Sequence, residues 1–167
     1  MPTDQQLIQF IHTASAHTYF GGGERLTQPE RPGFTELVYQ EGELHYRDSY
    51  AGYYRSRGTE LVRYQNIPIW ASSYGGGMVA GKESLTKKTF QFLISAAKHS
   101  TEYPLSFRGP QQYLQADWQY RYTQIGDVQE FSGDEQIYFQ GQLVFYHKVI
   151  GGRIIPQESA WSSPTSI

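Results

Sequence analysis

The chain contains itself twice. Tyr46-Arg47, Gly52, Gly58, Glu60, Val62, Gln65 and the pair Gly76-Gly77 return as Tyr120-Arg121, Gly126, Gly133, Glu135, Ile137, Gln140 and Gly151-Gly152. The offset is 74 residues as far as Gly126 and 75 beyond it, so one inserted residue reconciles the copies. Apolar positions correspond too, Ile69 with Val144 and Trp70 with Phe145, as two copies of one folding unit require. Whatever half of the chain folds into must therefore be built twice.

The helical segments obey the same rule. Thr3 and Gln6 have capping-box spacing, and Leu7, Phe10, Ile11 and Ala14 then share one helical face. A second helix is expected over about residues 83–100, with Leu85, Phe92, Leu93 and Ala96 on its inner stripe. It matches the first at an offset of 82, pairing Phe10 with Phe92 and His17 with His99. The change from 82 to 74 places 8 extra residues in the first copy, within residues 24–33, where Gly, Pro and charge predict a loop.

Period-2 alternation predicts strands over residues 34–40, 43–50, 59–64 and 67–74, and again over 112–114, 118–124, 134–139 and 142–150. Turns are expected at Glu41-Gly42, Gln65-Asn66 and Gln140-Gly141. Asn66 and Gly141 stand where a two-residue hairpin needs positive φ. The expected fold class is α+β: an internal duplication of two α-β-β-β-β units whose curved antiparallel sheet packs on two helices with pseudo-twofold symmetry. Residues 1–158 read as a single duplicated domain, with repeats over about 3–79 and 81–155, and 159–167 as a flexible polar tail. Fourteen tyrosines, with 9 phenylalanines and 3 tryptophans, suit strands whose side chains are apolar in body and polar at the tip.

At 167 residues the chain buries roughly two-thirds of its unfolded surface. With no cysteine, disulfides, iron–sulfur clusters and thiol catalysis are excluded, and a reducing compartment fits. The first residues lack a basic region followed by an apolar run, and no stretch approaches the ~20 apolar residues of a membrane span. A cytoplasmic protein without membrane contact is expected. The formal charge of −2 argues against direct nucleic-acid binding, and Arg47, Arg55, Arg57 and Arg63 read as a solvated hairpin rim.

Several motifs together resemble a known family: Tyr46-Arg47-Asp48-Ser49-Tyr50-Ala51-Gly52, Gly58-x-Glu60-x-Val62, Pro68-Ile69-Trp70, Tyr74-Gly75-Gly76-Gly77, Arg108-Gly109-Pro110 and Gly151-Gly152. In order and spacing they are similar, over nearly the whole chain, to DUF5680, a bacterial domain family of unknown function. The resemblance implies a sensory or regulatory setting, because members are often fused behind an Xre-type helix-turn-helix. Here Gly21-Gly22-Gly23 follows the first helix in place of a short turn and recognition helix. The resemblance supplies no catalytic residues.

Residues 76–83 fit a phosphate-binding loop except at Glu83, where that loop needs a hydroxyl; the recurrence of Gly151-Gly152 without a following Gly-Lys points instead to a strand-end bulge or turn. Glu60 and Glu135 alternate in phase with Val62 and Ile137, so if those face inward the carboxylates do too. Such carboxylates either accept backbone N–H groups from the turns at Gly58 and Gly133 or supply acid–base chemistry.

Functional asymmetry belongs where the copies differ: Asp48 corresponds to Tyr122, Ser72 to His147 and Tyr74 to Val149. Tyr46, Asp48, Trp70 and Tyr74, facing Tyr120, Tyr122 and His147, are the ligand-binding candidates. Arg108 is the candidate anion contact, or else a fixture of its own loop. The five histidines lack metal-ligand spacing, and no Gly-x-Ser-x-Gly turn is present, so neither metal, cofactor nor catalytic set is expected. The leading expectation is a small-molecule-binding or regulatory module, with a homodimer allowed. The alternatives are an acid–base enzyme using Asp48 with Glu60 or Glu135 with His147, and a protein-interaction module using exposed strand edges and tyrosines.

Overall fold

A computed structural model describes residues 1–21, 23–99 and 106–155. Helix α1 (Asp4–His17) precedes strands β1 (Thr35–Glu41), β2 (Leu44–Ala51), β3 (Arg55–Tyr64) and β4 (Ile67–Met78). Helix α2 (Thr86–Lys98), entered through a single 3-10 turn, precedes β5 (Gln112–Gln115), β6 (Trp118–Gly126), β7 (Glu130–Phe139) and β8 (Gln142–Arg153). The strands form one sheet in the order β1-β2-β3-β4-β8-β7-β6-β5, with every neighbouring pair antiparallel. Two meanders thus meet at a central seam where β4 pairs with β8, Tyr74 opposite Val149 and Gly76 opposite His147.

Both helices cover the same face of this sheet. The Thr3 hydroxyl accepts from the Gln6 amide while the Gln6 side chain accepts from the Thr3 amide, so the expected capping box starts α1. Leu7, Phe10, Ile11 and Ala14 then bury against Tyr46, Val62, Ile69 and Trp70. On the other side of the seam, Phe92, Leu93 and Ala96 of α2 bury against Tyr120, Ile137, Val144 and Phe145. The hairpin turns Gln65-Asn66 and Gln140-Gly141 hold positive φ at both residues, the geometry that matches strand twist. The first hairpin turns instead at Gly42-Glu43, one residue later than expected.

Each meander carries a bulge at the corresponding place. Val62 pairs with Trp70 but Arg63 pairs with Pro68, leaving Ile69 unpaired; Ile137 pairs with Phe145 but Tyr138 pairs with Leu143, leaving Val144 unpaired. The extra residue breaks the period of two, which explains how consecutive residues Ile69-Trp70 and Val144-Phe145 are all buried.

The strands outrun the sequence limits in a consistent direction. β3 begins at Arg55 where a strand was expected only from residue 59, and β4 continues through Gly75-Gly76-Gly77. Gly76 and Gly77 are therefore not a strand-end turn. They lie inside the ladder at φ 154° and 134°, where a Cβ would overlap the backbone of Tyr146 and Tyr54 respectively. The second helix ends by Lys98, and both its expected last residue, Ser100, and the expected tail at 159–167 lie outside the described residues.

Candidate functional site

A guanidinium links the two meanders inside the fold. Arg108 lies on the loop before β5 and is only 4% exposed. Phe107 anchors that loop by packing on Trp70 and Phe131, at centroid distances of 5.6 and 4.7 Å. The Ser106 carbonyl is held by His12 Nε2 of α1 at 2.8 Å. So fixed, Arg108 places its two terminal nitrogens 3.5 Å from Glu60 Oε1 and 3.5 Å from Glu135 Oε2, and its charge over the Tyr74 ring at 4.9 Å. Arg108 does meet anions, but they are the protein's own.

Both carboxylates face inward as alternation required, but among the described residues their hydrogen-bond partners are side chains, not the backbone N–H groups expected. Glu60 accepts from Tyr46 Oη at 2.9 Å and from the Ser72 hydroxyl. Glu135 accepts from Tyr120 Oη at 2.8 Å and contacts His147 Nδ1 at 3.2 Å. Gly58 and Gly133 are not turns but lie within β3 and β7, where the ring of Tyr74 lies against Gly58 and that of Tyr122 against Gly133 and any Cβ would overlap it.

The environments push the acids apart. Burial and the charge of Glu60 raise Asp48 to about 7, although Tyr74 Oη donates to its Oδ1 at 2.8 Å and Arg108 favours its ionised form. Burial also opposes ionisation of Glu135, but Arg108, His147 and Tyr120 outweigh it and hold Glu135 at about 2. His147 is lowered by burial and by Arg108 and Arg57, against the pull of Glu135. Its contact with Glu135 is therefore that of a neutral imidazole with a carboxylate.

Above this cluster lies a cavity of about 240 Å³ between the end of α1, the bend after β2, α2 and the sheet. Tyr19, Tyr50, Tyr53, Tyr74, Phe90 and Phe145 line it, and Ser56 and His147 add polar atoms at its wall. Three larger hollows, of about 780, 660 and 280 Å³, lie beside Met1–Gln9, beside Ile125 and Ile150, and beside His12, Phe20 and Phe107; the second borders Ser72, the hydroxyl partner of Glu60, and the third borders Arg108, but none of them is lined by Asp48, Glu135 or His147.

Of the expected site residues, Tyr74 and His147 line the cavity. Asp48, Glu60, Tyr46, Tyr120, Glu135 and Arg108 stand behind them in the hydrogen-bonded and charge-paired layer. Trp70 lies elsewhere, fully buried and stacked on Phe131 at 6.0 Å with 8° between the planes. Tyr122 donates to Gln124 Oε1 at 3.1 Å. Sequence reasoning missed Tyr19 and Ser56. It also missed Glu36, a buried acid that accepts from Ser49 at 2.8 Å and pairs with Arg47. No group of three or more His, Cys, Asp or Glu suited to a metal occurs among the described residues.

Residues 48–154 match the family model of DUF5680, a domain of unknown function. The chain belongs to the DUF5680 family. The matched span carries Asp48, Glu60, Tyr74, Arg108, Glu135 and His147, while α1 and β1 precede it, so the match is shorter than the motif resemblance suggested. No curated protein and no solved structure matches the chain.

Proposed function

We propose that this DUF5680 domain binds a small molecule in the aromatic cavity and serves as a sensor-like module in the cytoplasm. One observation carries the reading. Tyr74 and His147, which form part of the cavity wall, are each in hydrogen-bond contact with a buried carboxylate, Asp48 and Glu135, so a ligand touching the wall also touches the charge cluster. An aromatic lining with a few convergent polar groups is the usual make-up of a ligand site. At about 240 Å³ the cavity is smaller than the ~300–1,000 Å³ of drug-sized pockets, which points to a compact metabolite. Cysteine-free composition supports the reducing compartment, and no helix among the described residues is long and apolar enough to cross a membrane.

The duplication supports the same reading. Two α-β-β-β-β halves, equivalent bulges and equivalent Tyr–Glu hydrogen bonds favour descent from one repeated unit related by a pseudo-twofold axis near the β4·β8 seam. Divergence between the copies then accounts for a single cavity wall of unlike residues.

Ile94 of α2 lines the cavity and is half-buried, so I94W fills the space without altering a charged residue. A metabolite library screened by thermal shift should yield a ligand that raises the melting temperature of wild type and not of I94W. Ligands acting equally on both proteins place binding elsewhere. Trp70 is outside the cavity, so its fluorescence is not a direct reporter.

The acid–base alternative retains one specific support. His147, at the cavity wall, is in direct contact with Glu135 behind it, whereas Asp48 and Glu60 stand behind Tyr74 and Tyr46, with neither acid's partner acting as a base at the wall.

A further inference from the structure

We propose that Ser56, His147 and Glu135 form a nucleophile relay opening on the aromatic cavity, which attacks a small ester or similarly activated acyl compound. The inference rests on the cavity admitting a small molecule. Ser56 Oγ lies 3.4 Å from His147 Nε2, and His147 Nδ1 lies 3.2 Å from Glu135 Oε2, so hydroxyl, imidazole and carboxylate stand in series. The separation of hydroxyl and base is long for a hydrogen bond, as such contacts often are before substrate tightens them. Ser56 and His147 both line the cavity, while Glu135 is shut behind them at 0% exposure. That is the layout of a nucleophile, its base and the group that orients the base.

The series is assembled from distant sequence. Ser56 comes from β3 and His147 from β8, and each stands opposite Gly76 of β4, one on either side. A Cβ on Gly76 would overlap the His147 ring, so this glycine lets the imidazole lie close to the strand. No local sequence turn announces such a serine.

The tautomer follows from the neighbours. Glu135 accepts from Tyr120 Oη on one oxygen and faces Arg108 and His147 Nδ1 with the other. With Glu135 ionised, a proton on Nδ1 satisfies the close Nδ1–Oε2 contact and leaves the Nε2 lone pair towards Ser56. Arg108, 3.3 Å from Nδ1, competes for that nitrogen and opposes an imidazolium. The cluster's composition offsets this: two glutamates face one guanidinium, so while Asp48 keeps its proton, a protonated His147 brings the group to neutrality.

Every atom in the step is accounted for. Ser56 Oγ bonds to the carbonyl carbon as its proton passes to His147 Nε2. The oxyanion that forms lies in a cavity lined by the phenols of Tyr19 and Tyr50, and burial keeps Tyr19 protonated as a donor. The carbon–oxygen bond to the leaving alcohol breaks, and the alcohol takes the proton from His147. Water then attacks the acyl-serine with His147 again accepting the proton, releasing the acid and restoring the serine hydroxyl.

The probes are p-nitrophenyl acetate and a small alkyl fluorophosphonate, applied to the full chain and to S56A, S56C, H147Q and I94W. Expected are a pre-steady-state burst of nitrophenol and a phosphonyl adduct mapped to Ser56 by mass spectrometry. S56A should abolish both with its melting temperature unchanged, S56C should restore the burst through a thiol, and H147Q should slow labelling by about 100-fold or more. Labelling at another residue, or a burst that survives S56A, overturns the relay. So does the absence of any burst or adduct. Thermal shift against I94W separates the outcomes: a cavity ligand without acylation overturns the relay alone, and neither binding nor acylation overturns both proposals.

Discussion

The two halves of the sheet place a glutamate at the same point and surround it differently. Glu60 stands across the strands from Asp48 and Ser72, and Glu135 from Tyr122 and His147. In the first half a second acid beside Glu60 is forced towards its neutral form by burial and by the Glu60 charge; in the second, Arg108, aided by the adjoining His147 imidazole, holds Glu135 low against burial. The rings that cover the glycines differ in origin too. Tyr74, on β4 and directly opposite Gly58, covers it, while Gly133 is covered by Tyr122 of β6. Because β4 supplies the ring in the first half, the β2 position is free to hold Asp48, and that carboxylate receives the Tyr74 hydroxyl. One backbone frame thus carries two chemical environments through the exchange of three side-chain pairs.

The comparison breaks most severely if its shared partner is removed. R108A leaves Glu60 and Glu135 buried without a cation and should cost about 3–5 kcal/mol in urea unfolding. A loss under ~1 kcal/mol would show that the two halves do not depend on a common charge. Next in size is pH. Asp48 has a folded value of about 7 against an ordinary 3.8, so the stability from its protonated form is complete below about pH 4 and is lost as pH rises through 7. D48N keeps a neutral side chain throughout and should gain on wild type by about 2–4 kcal/mol between pH 4 and 7.5. Glu135 runs the other way: held at about 2 against 4.5, its contribution is present above about pH 4.5 and is lost as pH falls through 2. A constant offset between the D48N and wild-type curves would remove the distinction between the halves.

At fixed neutral pH, E60Q and E135Q should each lower stability by about 1–3 kcal/mol, with E135Q the larger because it loosens His147 as well as Arg108. Unchanged denaturant midpoints would strip both glutamates of a scaffold role and strengthen the acid–base alternative. The smallest contrast concerns the phenols. Y74F takes a hydrogen bond from buried Asp48 and should cost about 1–2 kcal/mol, against about 0.5 kcal/mol for Y122F, whose hydroxyl meets Gln124 in a half-buried setting. Equal thermal shifts for the pair would sharpen the comparison to the carboxylates alone.

Most of the frame was readable because local rules govern it. Helical spacing set α1 and α2, and two-residue turns with Asn66 or Gly141 at positive φ fixed the hairpins. Alternation turned Glu60 and Glu135 inward. The partners of those acids were not readable. Arg108 is a loop residue whose direction depends on where Phe107 docks, and tertiary packing alone decides that. Ser56 lay between the strands expected over residues 43–50 and 59–64; β3 in fact begins at Arg55, and the ladder passes through Gly58 with a tyrosine ring in the space a side chain would take. Trp70 looked like a site residue because it shares a strand face with Ser72 and Tyr74, but it packs against Phe107 and Phe131 instead.

The reach of one guanidinium also serves as a ruler for the seam. Glu60 on β3 and Glu135 on β7 ride on strands that flank β4 and β8. A slip of two residues along that junction would return every side chain to its own face, so hydrophobic patterning does not reject it. It would, however, carry the two acids apart by about 7 Å, and Arg108 would then reach only one of them. A stranded buried carboxylate penalises the misaligned pairing that greasy contacts tolerate. Arg108 therefore counts residues across the junction, and its worth to the fold lies in the wrong alignments that never form.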